Sequence, residues 1–205
     1  MSEELLIRHC SPTLAGLKTA NLFNCEYETE EELKTYLREI NAKLSGKGVR
    51  VMPLRYGDNR ALIYLFRPDD LEKDLSCVEA RSILKKSGYD SSPECECTGC
   101  SGKRSCRNKK SHSKCFGKCL ATLQAKLKNE SIFPHEIGLF LGYPPEDVKG
   151  FMEEGSRKCK CVGTWRVYGD ERKARKTFAQ YKKCNDIYGR LYAEGRPMEK
   201  LTVGK

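Results

Sequence analysis

Apolar residues recur at helical spacing over several stretches of the chain. Thr29-Glu30-Glu31-Glu32 has the form of a capping box, and Leu33, Tyr36, Leu37, Ile40 and Leu44 follow it, which predicts a helix ended by Gly46 and Gly48. Ser11-Pro12 reads as an N-cap with proline at the first helical position, opening a short helix through Leu14 and Leu17. Pro68-Asp69-Asp70 starts another helical stretch, whose apolar face Val78, Ile83 and Leu84 continue as far as Gly88. A further helix is expected from about Phe116 to Leu127, with Leu120, Leu123 and Leu127 on one face. Phe133–Gly150 predicts two short helices about the turn Gly142-Tyr143-Pro144-Pro145. Asp170 caps a long last helix with the seam Ala174, Phe178, Tyr181, Tyr188 and Leu191.

Strand patterns are fewer. Val49–Tyr56 and Arg60–Arg67 flank Gly57-Asp58-Asn59, whose residues tolerate positive φ and so suit a hairpin. Pro53 lacks an amide donor, which places the first strand at a sheet edge or gives it a bulge. Cys161–Tyr168 alternates and is expected as the third strand. The predicted fold is α+β: a small, mainly antiparallel sheet of about three strands covered by helices. Residues 89–114 break all periodicity. The organisation that follows is one α+β domain over 1–90 and 115–205, with 91–114 as a Cys/Lys-rich loop insertion that a metal would stabilise.

Composition narrows the class. The 205 residues are 39% hydrophobic, enough for a core, and no run approaches the roughly 18 apolar residues of a membrane span. Met1 to Arg8 includes Glu3 and Glu4 and lacks the pattern of a signal peptide. The twelve cysteines are therefore expected in a reducing cytosol, as metal ligands, redox groups or core residues, and the protein is expected to be cytoplasmic.

The formal charge of +10 is uneven: residues 101–128 hold nine Lys and Arg and no acid. Such asymmetry suits a nucleic-acid partner, a solvated face, or cations that stabilise thiolates. The thiolate reading gains weight because Cys95, Cys97, Cys100, Cys106, Cys115 and Cys119 fall within 95–128, a stretch that takes in these cations. Cys97-x-x-Cys100 and Cys115-x-x-x-Cys119, fourteen residues apart, come close to zinc-ribbon spacing. An iron–sulfur cluster is the rival, since Cys95, Cys97, Cys100 and Cys106 also supply four thiolates, though not at the common ferredoxin spacings.

Other chemistry is thinner. His9-Cys10 sets a base beside a thiol, but adjacent residues point in different directions. His135-Glu136 opens a helix after Pro134, where capping explains the pair as well as catalysis does. Ile137 to Val148 has the outline of a helix-turn-helix, yet Glu146, Asp147, Glu153 and Glu154 outnumber Lys149 and would repel phosphate. Arg172, Lys173, Arg175, Lys176, Lys182 and Lys183, off the seam of the last helix, form the better nucleic-acid surface.

Three segments carry a resemblance: His9-Cys10-Ser11-Pro12-Thr13-Leu14-Ala15-Gly16-Leu17-Lys18, Phe133-Pro134-His135-Glu136-Ile137-Gly138-Leu139-Phe140-Leu141-Gly142-Tyr143-Pro144 and Cys161-Val162-Gly163-Thr164-Trp165-Arg166-Val167-Tyr168. Together they resemble the bacterial family labelled domain of unknown function 3793. The resemblance implies a single cytoplasmic bacterial domain in which the Cys/Lys stretch is an insertion. It makes His9, Cys10, Lys18, His135, Glu136 and Trp165 the alternative site to the cysteine cluster.

Overall fold

The computed structural model describes residues 2–89, 109–129 and 133–204, with the side chains of 109–115 outside the description. At its centre is an antiparallel sheet of β1 (Ala20–Glu26), β2 (Arg50–Gly57) and β3 (Arg60–Phe66) in the order β1-β3-β2. The β2–β3 hairpin is the expected one, with Asn59 at φ 55° in its turn. Both expectations for Pro53 hold, because β2 is an edge strand and its register shifts between Pro53 and Arg55. Gln124 Nε2 donates to the Pro53 carbonyl at 3.0 Å, covering part of that edge.

The third strand is β1, not Cys161–Tyr168. Asn21 and Asn24 interrupt the apolar run of β1, and only pairing along the whole of β3 makes it a strand. The 161–168 segment instead folds back on itself as a separate ribbon of β4 (Cys161–Val162) and β5 (Arg166–Val167). Gly163 turns it, with its amide donating to the Trp165 carbonyl at 3.0 Å. A β-carbon at Gly163 would come within 2.2 Å of the Phe178 ring, so only glycine brings the ribbon this close.

Central strand β3 is buried on both faces, and its alternation feeds two cores. Leu62, Tyr64 and Phe66 enter one with Leu71, Leu84, Leu123 and Phe140. Ala61, Ile63 and Leu65 enter the other with Leu6, Leu14, Leu37, Ile40 and Met198. The first core is covered by α3 (Pro68–Ser76), α4 (Val78–Lys86), α5 (Lys109–Asn129), α6 (Ile137–Phe140) and α7 (Pro145–Glu154). The second is covered by α1 (Glu3–Leu14), α2 (Glu30–Leu44), the outer helix α8 (Glu171–Ala193) and the short α9 (Met198–Leu201).

Most helix ends follow local chemistry. Thr29 caps α2 by accepting from the Glu32 amide, and Asp170 caps α8 by accepting from the Lys173 amide. Two expectations fail. The first helix starts at Glu3 rather than after Ser11, because Ser2 caps it and Glu3 and Glu4 complement its dipole. Pro12 then lies in its last turn, and the Ser11 hydroxyl donates to the Ile7 carbonyl. The stretch from Pro68 breaks at Cys77, whose sulfur accepts from the Ala80 amide, and this leaves Val78 exposed instead of on the apolar face.

Arg67 follows β3 and is 1% exposed. Its Nε donates to the Thr13 carbonyl at 2.7 Å, and its Nη2 donates to Leu14 at 2.8 Å and Val203 at 2.7 Å. Nη1 reaches the Lys47 carbonyl at 3.3 Å. The guanidinium thus satisfies free carbonyls at the C-terminus of α1, where a cation also complements the dipole, and ties them to two other segments. Replacing Arg67 with Met removes the donor these carbonyls share and leaves Thr13 and Leu14 only their backbone amide partners, which should cost about 3 kcal/mol or more. Lys should recover only part of the loss, because one ammonium cannot span the fork; urea unfolding of the two variants checks both outcomes.

Candidate functional site

The three segments that carry the family resemblance meet at one cleft. The first ends beyond α1, where Gly16 turns the chain at φ 72° and the Leu17 and Lys18 amides both donate to the Pro12 carbonyl. Lys18 is 6% exposed. Its Nζ lies 5.3 Å from the ring centre of Tyr143, in the second segment, and 6.0 Å from that of Tyr181 on α8. Trp165, from the third segment, stacks on Tyr143 at 4.9 Å and meets Phe178 edge-on at 4.6 Å.

Close backbone approach makes this meeting feasible. Gly142 has φ 72°, and a β-carbon there would come within 2.6 Å of Thr19 Oγ1. Thr19 in turn donates its hydroxyl to Asp74 on α3. Asp147, buried on α7, fixes the third segment: Trp165 Nε1 donates to its Oδ2, and the Tyr168 and Gly169 amides donate to its Oδ1, each at 2.7 Å. The carboxylate that resembled a repellent of phosphate is therefore an internal acceptor.

The cleft has a volume of about 460 Å³ and is lined by Leu17, Asp74, Tyr143, Trp165, Lys173 and Tyr181 among others. On the other side of Trp165 lies an apolar slot of about 320 Å³ with His135, Phe133, Val148 and Phe151. A larger hollow, about 860 Å³ beside Glu26, Glu28, Glu32 and Tyr36, takes residues from none of the three segments.

Electrostatics single out Lys18. Burial pulls its ammonium down to about 8, against an opposing influence of Cys10, and no carboxylate pairs with it among the described residues. Cys10 is wholly buried, and desolvation pushes its thiol far up, so it stays neutral. Burial likewise holds the Tyr143 and Tyr181 phenols up to about 12.

The other expected residues scatter. His9 is exposed and stacks on Phe23 at 5.1 Å, at the edge of the core that buries Cys10, with its pKa lowered by partial burial and by Arg8. His135 packs edge-on against Phe151, and Glu136 forms a buried ion pair with Lys126 on α5 at 2.8 Å. The structure thus joins Cys10, Lys18 and Trp165 through Tyr143, sets His135 behind the Trp165 wall, and leaves His9 and Glu136 elsewhere. Tyr181 and Asp147 were missed as site residues; one reads as helix seam and the other as helix N-terminus.

Cys95, Cys97, Cys100 and Cys106 lie outside the described residues, as does the side chain of Cys115; Cys119 is buried in the first core. Among the described residues no three His, Cys, Asp or Glu side chains group as metal ligands, so the zinc and iron–sulfur expectations rest on residues beyond the description. The basic face of α8 is partly neutralised within the helix, by Arg175–Glu171 at 2.7 Å and Lys182–Asp186 at 2.9 Å. No helix among the described residues is long and apolar enough to cross a membrane.

The family description "Protein of unknown function (DUF3793)" matches residues 6–100 and 103–202, ranges that take in all six clustered cysteines. No curated protein and no solved structure matches the chain.

Burial of Lys18 has a measurable cost. Below about pH 8 the folded and unfolded chains both carry its proton, so the penalty for burying the charge is fully present. Between there and the ordinary lysine value of 10.5 the unfolded chain holds a proton that the folded chain has lost, and stability rises with pH. Lys18→Met should therefore stabilise the protein by about 3 kcal/mol at pH 7. The gain should shrink towards pH 10 in urea unfolding, and a destabilised variant at pH 7 would contradict it.

Proposed function

The chain belongs to the DUF3793 family of proteins, and from that premise we propose that it is a ligand-binding protein whose cleft beside Tyr143, Trp165 and Tyr181 takes a small planar organic acid. The observation that carries this reading is the convergence of Leu17, Tyr143 and Trp165, one from each of the three family-like segments, at a single cleft, with Lys18 packed against the Tyr143 ring. Aromatic faces favour a flat ligand. The carboxylates there are largely spent: Asp74 accepts from Thr19, Asp147 from three donors, and Asp170 from the Lys173 amide. Glu146 sits exposed at the rim. The Lys173 ammonium has no acceptor among the described residues, which leaves a cation to meet an anion.

Trp165 is the only tryptophan, so its fluorescence reports on this cleft directly. Benzoate should change that fluorescence saturably, benzamide should not, and Lys173→Glu should weaken benzoate by about tenfold or more, the equivalent of 1.4 kcal/mol. An unchanged signal with benzoate at millimolar concentration would sink the reading.

A second reading rests on α5, where Cys115 and Cys119 fall one turn apart, the spacing at which two thiolates on a helix share one ion. With cysteines from Cys95 to Cys106 they would bind zinc, or less readily an iron–sulfur cluster, for metal handling, redox sensing or docking. Anaerobic purification with elemental analysis should find about one zinc per chain. Less than about one-tenth of an ion per chain would overturn this second reading.

A further inference from the structure

We propose that Lys18 is a carbonyl-condensing amine, forming an imine with an aldehyde or ketone group of a small planar acid seated in the cleft. This deepens the ligand-binding reading and rests on it. Three features of the site carry the inference.

The amine is enclosed but adjacent to the cleft. Nζ lies against the rings of Tyr143 and Tyr181, which both line it, and the neighbouring residue Leu17 lines it too while 51% exposed. The Tyr181 hydroxyl donates to the Leu17 carbonyl at 3.4 Å, a long bond that restrains the ring weakly.

The amine also has no carboxylate partner among the described residues. Exposed lysines such as Lys34, Lys43 and Lys182 pair with carboxylates, whereas Lys18 faces two aromatic rings and a neutral thiol. Near pH 8 about half of Lys18 is the free base, against roughly one in 300 for an exposed lysine. A desolvated lysine of this kind is a nucleophile towards carbonyl carbon.

Finally, the neighbouring groups suit the step. The nitrogen lone pair bonds to the carbonyl carbon as the C=O π pair moves to oxygen. A proton passes from nitrogen to that oxygen and gives a carbinolamine. The nitrogen lone pair then forms C=N as the hydroxyl leaves, protonated, as water. No oxidant or reductant is consumed. Water in the open cleft carries the protons, while Tyr143 and Tyr181 stay neutral phenols that donate to the Thr164 and Leu17 carbonyls, and Cys10 stays a thiol and does not compete.

The test incubates the full chain at pH 8 with 4-carboxybenzaldehyde and sodium cyanoborohydride, which reduces the imine to a stable secondary amine, and locates the adduct by peptide mass mapping. Lys18 should be modified about tenfold or more faster than any other lysine, and benzoate should slow it. Lys18→Met should lose the adduct and melt as a folded protein. Labelling spread over exposed lysines, or Lys18 unmodified while benzoate still alters Trp165, would overturn the role of Lys18 and leave the cleft reading standing. Failure of both the adduct and the benzoate response would overturn the two together. An adduct at Lys18 that benzoate leaves unslowed would overturn the cleft as its route.

Discussion

The guanidinium of Arg67 is the constraint on which the rest of the arrangement depends. Its side chain holds the Thr13 and Leu14 carbonyls, and its own backbone amide donates to the Thr19 carbonyl at 2.9 Å. One residue therefore brackets the loop that presents Lys18, gripping the chain just before it and just after it. A buried cation whose hydrogen bonds among the described residues go to backbone oxygens is costly to desolvate, and its worth lies in geometry: a planar fork fixes several segments at once. The position of the amine beside the cleft is a consequence of that fork.

The sheet transmits the same order to the far wall. Because β3 sends alternate side chains into two cores, neither layer shifts without disturbing the other. Tyr64 illustrates the link, donating its hydroxyl to the Phe140 carbonyl just ahead of the Gly142 turn that carries Tyr143. Asp147 then locks Trp165 from behind. The aromatic wall is held by hydrogen bonds at its edge and by a packed core beneath, which is the support a binding surface needs if it is to keep its shape.

Much of this was legible in the chain, for local reasons. The capping box at Thr29, the cap at Asp170, the hairpin at Asn59 and the double meaning of Pro53 all depend on residues within a few positions of one another. β1 was not legible, because Asn21 and Asn24 look like loop residues until pairing with β3 supplies their partners. Cys161–Tyr168 alternates like a sheet strand, yet Gly163 lets it turn against Phe178. Lys18 and Trp165 were visible through the family resemblance. Their connection was not, since Tyr181 lies far along the sequence and Asp147 shows its role only when three donors converge on it. The acid count of α7 suggested a charged surface; burial made one of those acids an acceptor inside the protein.

The bond from Arg67 to Val203 joins residues 136 positions apart. During synthesis, β3 and Arg67 emerge long before their last partner. At about 5–20 residues per second, the fork waits on the order of ten seconds for the Val203 carbonyl. Until then the end of α1 lacks the Val203 amide that donates to Leu14, and the guanidinium lacks one of its acceptors. The nascent chain thus passes through a stage in which its sheet is complete and its cleft is not, because the sheet needs nothing beyond Phe66 while the cleft waits for Trp165 and Tyr181.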